Sequence, residues 1–370
     1  MAMATATSAP AFGRFFLPGP TEVLPEILAA QTRPMIGHRG KSMEQLIAHM
    51  MPGLRQIFRT ERPVYLSASS ATGLMEAAAR NCGGRRVLSL VNGAFSERFF
   101  RIARANGIQA DPLEVPPGKA HAPEAVEEAL KRFHYDAITV VHSETSTGAL
   151  NPIRDLAAVA HRSGDTLLLV DSVTGIAGSP TETDAWQLDF ILTGSQKALA
   201  LPPGLALGVA NARALERARA TANRGVYFDL LEFESYIQRN QTPNTPAVSL
   251  LYALAAQVAR IEKETMESRW ARHQAMAERT WRFAGEMSDR GVPVAVLAPE
   301  GARSPTVTCL TVPAGRKGSE ISDQMKARGY TIASGYGPLK DSTIRIGHMG
   351  DHTVTELDAL LAVLAEVLAG

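Results

Sequence analysis

The stretch "LTGSQKALALPPG" (192–204) decides how this chain is read. It leaves an apolar run (188–192) that carries one acid, Asp189, and it ends in two prolines and a glycine. In between, the residues shrink to Gly194, Ser195 and Gln196 and then present a single lysine, Lys197. Small residues at a strand end let the backbone approach closely whatever lies there. A lone lysine at that place is an amine held at the strand end. Just upstream, "TLLLVD" (166–171) closes on a second acid, Asp171.

Working outward, the same rhythm repeats. The β-rich runs are "RPVYL" (62–66), "RRVLSLV" (85–91), "DAITVVH" (136–142), "TLLLVD", "DFILT" (189–193) and "LALGVA" (205–210). Amphipathic segments such as "TGLMEAAARN", "SERFFRIARANG", "APEAVEEALKRF" and "IRDLAAVAHRSG" lie between most of them. Apolar strands alternating with such helices predict an α/β domain with a largely parallel sheet. In such sheets ligands sit at the carboxyl ends of the strands. After "TPNTP" a helical pattern starts at 250 and continues through "MESRWARHQAMAERTWRFAGEM", which reads as one long connecting helix. Beyond 290, "VPVAVLA" and "TVTCLTVP" look β-like, "GSEISDQMKARG" helical, and "STIRIGHMG" β-like again. A last helix opens on Thr353 and Glu356, a capping box, and lines up Leu357, Leu360, Leu361, Leu364 and Leu368. The expected organisation is an N-terminal arm (1–20), a large domain (21–264) and a small α+β domain (265–370).

Composition narrows the function. With 370 residues, 45% hydrophobic, 20% charged and a net charge of +1, the chain has no basic excess for nucleic acid and no basic amphipathic run for a membrane surface. No apolar run reaches the length of a membrane span, and "MAMATATSAPAFG" lacks the features of a secretory signal; it is expected to be disordered or to drape over a neighbour. Cys82 and Cys309 form no metal-type or CxxC pattern and read as reduced thiols of a cytoplasmic protein. No metal site is expected.

Five features stand at strand ends: Lys197, Asp171, Thr145 in "HSETSTG", Phe95 in "VNGAFSERF", and "SASSATG" (67–73) before a helix. Singly each has an ordinary reading: a solvated lysine, a turn-capping acid, a turn threonine, a core ring, a helix cap. Together they suit one ligand. A helix N-terminus reached through small residues favours an anion. A buried aspartate holds a positive charge on a ring nitrogen, an aromatic ring stacks on a flat heterocycle, and a lysine forms a Schiff base with an aldehyde. Phosphate, pyridine nitrogen, flat ring and aldehyde are the handles of pyridoxal 5′-phosphate (PLP).

With "LLLVDSVTG" and "LDFILTGSQKALALPPG", the chain resembles the class V aminotransferases of PLP fold type I, in the alanine–glyoxylate and serine–pyruvate branch. "PGPTEVLPEI", "HSETSTGALNPI", "NTPAVSLLYAL" and "STIRIGHMG" extend the resemblance over nearly the whole chain. It implies a mostly parallel seven-stranded sheet with a smaller C-terminal α+β domain. It implies that Lys197 is the Schiff-base lysine and proton shuttle, and that Asp171 pairs with the pyridine nitrogen. Phe95 and Val173 flank the ring. Ser70, Ala71, Thr72 and Gln196 hold the phosphate, and Thr145 donates near the ring oxygen. Arg345 in "IRIG" takes the substrate carboxylate, for which a guanidinium fork is suited; Gly19 and Pro20 abut the substrate. Thr242 and Thr245 reach the phosphate of the other subunit, making the protein a homodimer with shared sites. Thr245 followed by Pro246 also reads as a helix start, cap then first turn. His38 and Arg39 shape the entrance or are a surface pair.

The expected reaction moves an amino group from L-alanine or L-serine to glyoxylate or pyruvate by a ping-pong course, since no second cationic residue stands out for a side-chain carboxylate. The rivals are a class V enzyme acting on another amine such as pyridoxamine with pyruvate, a desulfurase or lyase, and a non-catalytic protein on this scaffold. A desulfurase needs a cysteine on a mobile loop, and neither Cys82 nor Cys309 is so placed. A dinucleotide-dependent oxidoreductase lacks its GxGxxG.

Overall fold

The computed structural model describes residues 12–370. Its large sheet uses β1 (Tyr65–Ser67), β2 (Arg86–Val91), β3 (Gln109–Glu114) and β4 (Ala137–Val141). A two-residue hairpin, β5 (Ser143–Glu144) and β6 (Ala149–Leu150), follows, and β7 (Leu167–Asp171), β8 (Phe190–Gly194) and β9 (Ala206–Ala210) complete the sheet. The order is β1-β9-β8-β7-β4-β2-β3. β9 runs antiparallel to both neighbours, and the other pairings are parallel. The central strands "AITVV", "LLLVD" and "FILTG" are buried along their whole length. Helices cover both faces, so these runs carry no polar alternation. The acid inside the apolar run, Asp189, is buried at the opposite end of β8 from Lys197. It accepts from the Leu168 N–H (2.8 Å) and Asn211 Nδ2 (2.9 Å) and pairs with Arg213 (3.2 Å), stitching three segments together.

β3 answers to none of the runs expected from the sequence. Its "QADPLE" holds a proline, which cannot donate to a ladder. The strand lies at the sheet edge beside β2 alone, where one side needs no partner. "VPVAVLA" in turn forms no strand; a single bridge joins Val296 to Leu310. The long connecting helix is two helices, Val248–Glu264 and Met266–Asp289. Thr265 breaks it with φ +71°, and its hydroxyl caps the second helix at the Ser268 N–H (3.3 Å). The first of these starts at Val248 with Ala247 as its cap, not at Thr245. Pro246 instead lines a small cleft with Leu66, Tyr227 and Phe233, and Thr245 is exposed.

The smaller α+β unit packs the helices Met266–Asp289, Gly318–Ala327 and Val354–Ala369 on an antiparallel sheet of β10 (Val307–Thr311), β12 (Thr343–Gly347) and β11 (Ala333–Ser334), with β12 central. Its core includes Leu310, Ile344, Ile346, Leu357, Leu360, Leu361, Leu364 and Leu368. The capping box of Thr353 and Glu356 is formed. Phe16 joins this core, and the backbone around it pairs with Thr331 and Gly347. Within the arm expected at 1–20, Arg14 and Phe16 pair with the smaller unit through Thr331 and Gly347. The draping or disorder expected at the start of the arm falls, for residues 1–11, outside the described residues.

Buried Arg269 ties the two units. It pairs with Asp351 (2.9 Å) and Glu264 (2.8 Å) and donates to the Ala198 carbonyl (2.8 Å). The residue next to Lys197 is thus fixed from the second of the two helices. Among the described residues no helix is long and apolar enough to cross a membrane.

Candidate active site

The strand ends converge on a cavity of about 230 Å³ lined by Ser70, Ala71, Thr72, Met75, Phe95, Arg98, Val141, Ser143, Thr145, Asp171, Val173, Gln196 and Lys197. Every residue that the sequence assigned to the cofactor from one chain is in this lining.

Each is there for a local reason. The helix Ala71–Cys82 begins after Ser70 with no side chain capping its first N–H groups, so they remain donors for an anion. Gly73 in its first turn lies against the Phe228 ring; a Cβ there would sit 2.5 Å from it. Asp171 ends β7, is buried, and accepts from the Val173 N–H at 2.9 Å. Burial pushes its carboxyl up to about 7, with the Val173 bond opposing and the Glu144 charge adding to the rise. Lys197 follows β8 and is 7% exposed. Burial, and then the Arg345 charge, bring its amine down to about 8. Its Nζ donates to the Pro18 carbonyl and stands 5.6 Å from the Phe95 ring centre. The segment 18–21 covers this lysine: the Thr21 N–H donates to the Gln196 carbonyl (2.9 Å), and a Cβ on Gly19 would collide with the Lys197 side chain.

Arg345, on β12, stands outside the cavity wall and is 8% exposed. Its Nε donates to the Ser334 carbonyl (3.0 Å) and its Nη1 to the Thr145 carbonyl (3.3 Å). One hydrogen of Nη1 and both of Nη2 are left for a ligand.

Three residues escaped the reading of the sequence. Arg98 lies in the cavity wall, one turn after Phe95 on the helix Ala94–Ala105, so the i, i+3 spacing was the available signal. The sequence had offered no second cation. This one sits over the Phe95 ring (5.0 Å) with Nη1 3.4 Å from Thr72 Oγ1, on the side of the uncapped helix. Glu144 is fully buried and accepts from the N–H groups of Phe95 (3.2 Å) and Ser96 (2.9 Å), the Ser96 hydroxyl (3.0 Å) and the Ser146 hydroxyl (2.6 Å). It holds the helix start that carries Phe95. An acid amid the small residues of "HSETSTG" was its signal. Tyr336 packs against both Phe95 and Arg345.

Thr242 and Thr245 do not line this cavity within the chain. The Thr242 hydroxyl donates to the Asn244 carbonyl (2.7 Å), and Arg39 holds the same loop through the carbonyls of Thr242 and Pro243. His38 and Arg39 are likewise outside the cavity lining. Cys82 and Cys309 are buried and unpaired, and burial pushes their thiols up to about 12 and about 11. Among the described residues no group of acid, histidine and cysteine side chains has a metal-binding arrangement.

The arrangement fits a flat, anionic ligand with an aldehyde and a basic ring nitrogen. It offers free N–H donors at one end, an aromatic wall, a buried acid that a facing cation would hold ionised, and a buried amine with a depressed proton affinity.

Comparison with known proteins agrees. The model of the aminotransferase class-V family matches residues 26–350. The chain is 38% identical to an uncharacterized aminotransferase of Methanocaldococcus jannaschii, covering 94% of this chain and 90% of that one. It is 32% identical to the alanine–glyoxylate aminotransferase of Mus musculus, over 95% of this chain and 86% of the other. The crystal structure of the alanine–glyoxylate aminotransferase of a Nostoc species superposes with a TM-score of 0.91 at 28% identity, over 99% and 98% of the two chains. With the lysine, the acid and the uncapped helix assembled at the strand ends, the chain belongs to the class V aminotransferases, PLP-dependent enzymes of fold type I.

Proposed function

We propose that this aminotransferase takes its amino group from L-alanine or L-serine and passes it to glyoxylate or pyruvate in a ping-pong course. The observation that carries the reading is Arg345. Its guanidinium lies near Lys197 with donors left free, and it suits the single carboxylate of a small amino acid. Arg98, the other arginine near Lys197, is turned toward Thr72 and the phosphate end. The names of the mouse and Nostoc relatives support alanine with glyoxylate.

PLP, when bound, supplies an aldehyde to hold the amino nitrogen and a conjugated ring to take up the electron pair released at the α-carbon. The chain does the rest. Lys197 Nζ would hold the cofactor and, once freed, would take the proton from the α-carbon; an amine brought down to about 8 is suited to that task near neutral pH. The Asp171 carboxylate keeps the ring nitrogen protonated. Ser70, Ala71, Thr72 and Gln196 bind the phosphate, Phe95 and Val173 flank the ring, and Thr145 donates near its oxygen. Gly19 and Pro20 close the substrate side. Thr245 reaches the phosphate in a partner subunit, from a loop that buried Thr242 braces through the Asn244 carbonyl, so the working unit is a homodimer with shared sites. Exposed Thr245, and the exposed apolar side chains Met35 and Val226, are available to such a partner. The two unpaired, buried thiols suit a cytoplasmic protein. An enzyme for pyridoxamine itself would have little use for a phosphate cup, and the uncapped helix start speaks for the phosphorylated cofactor.

The test is the visible spectrum of the PLP-loaded protein. Its yellow band should bleach with L-alanine or L-serine and return on adding glyoxylate. A band indifferent to both amino acids contradicts the proposed donors.

A further inference from the structure

Tyr336 belongs to no strand, and its ring is 40% exposed, yet its surroundings fix it closely. It lies on the turn between β11 and β12. The Gly335 N–H donates to the Thr343 carbonyl (2.8 Å) and the Leu339 N–H to the Tyr336 carbonyl (3.1 Å). A side chain on Gly335 would strike the Leu339 carbonyl, and Gly337 takes φ +55°. The turn therefore holds a single large side chain between two glycines, set against Phe95 and Arg345. Its ring centre is 5.7 Å from that of Phe95, tilted by 37°, and 5.5 Å from the Arg345 guanidinium carbon. Phe95 in turn is 5.6 Å from Lys197 Nζ. Tyr336 thus stands just outside the cavity lining, between Phe95, which lines it, and the guanidinium read as the carboxylate site.

We infer that Tyr336 is a specificity-determining residue: its ring, braced on Phe95 and Arg345, walls the space open to the substrate side chain and restricts the donor to small amino acids. This rests on the reading of Arg345 as the carboxylate site. The guanidinium and the ring face attract each other at this range, so the wall and the carboxylate anchor are held as one unit. The phenol hydroxyl has no part in the argument; the ring does.

The experiment compares the PLP-loaded wild type, Tyr336→Ala and Tyr336→Phe in two series. The first uses unreactive carboxylates, acetate, butyrate and hexanoate, titrated against the visible band. Tyr336→Ala should improve the affinity for hexanoate relative to acetate by about tenfold or more, as expected when space for several methylenes is opened, while Tyr336→Phe keeps the wild-type order and PLP affinity is the same in all three. An unchanged hexanoate-to-acetate ratio in Tyr336→Ala, no response to any carboxylate, or a loss of PLP affinity matching the change overturns the inference. The second series measures kcat/KM for L-leucine against L-alanine. It decides the donor reading separately: a wild type inert to L-alanine, with the carboxylate shift intact, removes the proposed donors and leaves the wall.

Discussion

Asp171 shows how a residue is held at odds with stability for the sake of the site. Free in water its carboxyl is ionised at neutral pH, whereas burial pushes it up to about 7. A folded-state value above the unfolded one means the native chain binds the proton more tightly. That contribution to stability is full below about pH 4 and is lost as pH rises through about 7. Asp171→Asn keeps an oxygen for the Val173 N–H and never ionises. The cofactor-free Asn variant should therefore match the wild type near pH 4 and exceed it at pH 8, by on the order of a few kcal/mol. Denaturant unfolding of both proteins across that range checks it, and equal stabilities at pH 8 would show that the burial is not felt. Lys197, Asp171, Phe95 and Thr145 were legible in the sequence because each ends a strand or follows one within four residues. Arg98 and Tyr336 were not, since a helix face and a turn from the other end of the chain acquire meaning only once folding sets them beside Phe95.

Among the elements, the helix Ala94–Ala105 depends on a cap that is remote in sequence. Gly93 has no side chain to cap the first turn, and Ser96 Oγ takes only the Gly93 N–H (3.0 Å) within it; Glu144, from the β5 hairpin, accepts the N–H groups of Phe95 and Ser96, and Ser146 takes that of Ala94 (3.0 Å). Gly93 is required beside it, because a Cβ would come within 2.5 Å of the Glu144 and Ser146 side chains. Glu144→Ala should lower stability by about 1–3 kcal/mol for each buried donor left unpaired and weaken PLP binding through Phe95. Glu144→Gln, which keeps one acceptor oxygen, should lose less in both. Unfolding curves and a PLP titration measure the two effects, and a Glu144→Ala protein with wild-type PLP affinity would detach the cap from the site. The elements that were misread have local reasons: Pro112 stands in a strand that only a sheet edge tolerates, and Thr265 broke a helical pattern whose apolar spacing runs on across the break.

On the scale of the molecule, alternating apolar strands and amphipathic helices were enough to give the parallel sheet, and the strand-end residues enough to give the cavity. The union of the two units was not readable. Arg269, Gln257 and Asp351 are far apart in sequence, and their buried bonds join the segment after Lys197 to the end of β12. Removing one partner of such a buried pair leaves an uncompensated charge, so this junction holds Lys197 and Arg345 in fixed relation. The proposed sharing of sites between subunits rests on Thr245, whose place near a helix start the sequence marked and whose side chain is exposed.

The central claim is that Lys197, drawn into the cavity by β8 and covered by the segment 18–21, is the amine that holds the cofactor. Borohydride reduction of the PLP-loaded protein, followed by digestion and peptide mass mapping, tests it directly. The account predicts the phosphopyridoxyl group on the peptide carrying Lys197, and its loss with the yellow band in Lys197→Ala. The same group fixed stoichiometrically on another lysine, with Lys197 unmodified, would contradict it.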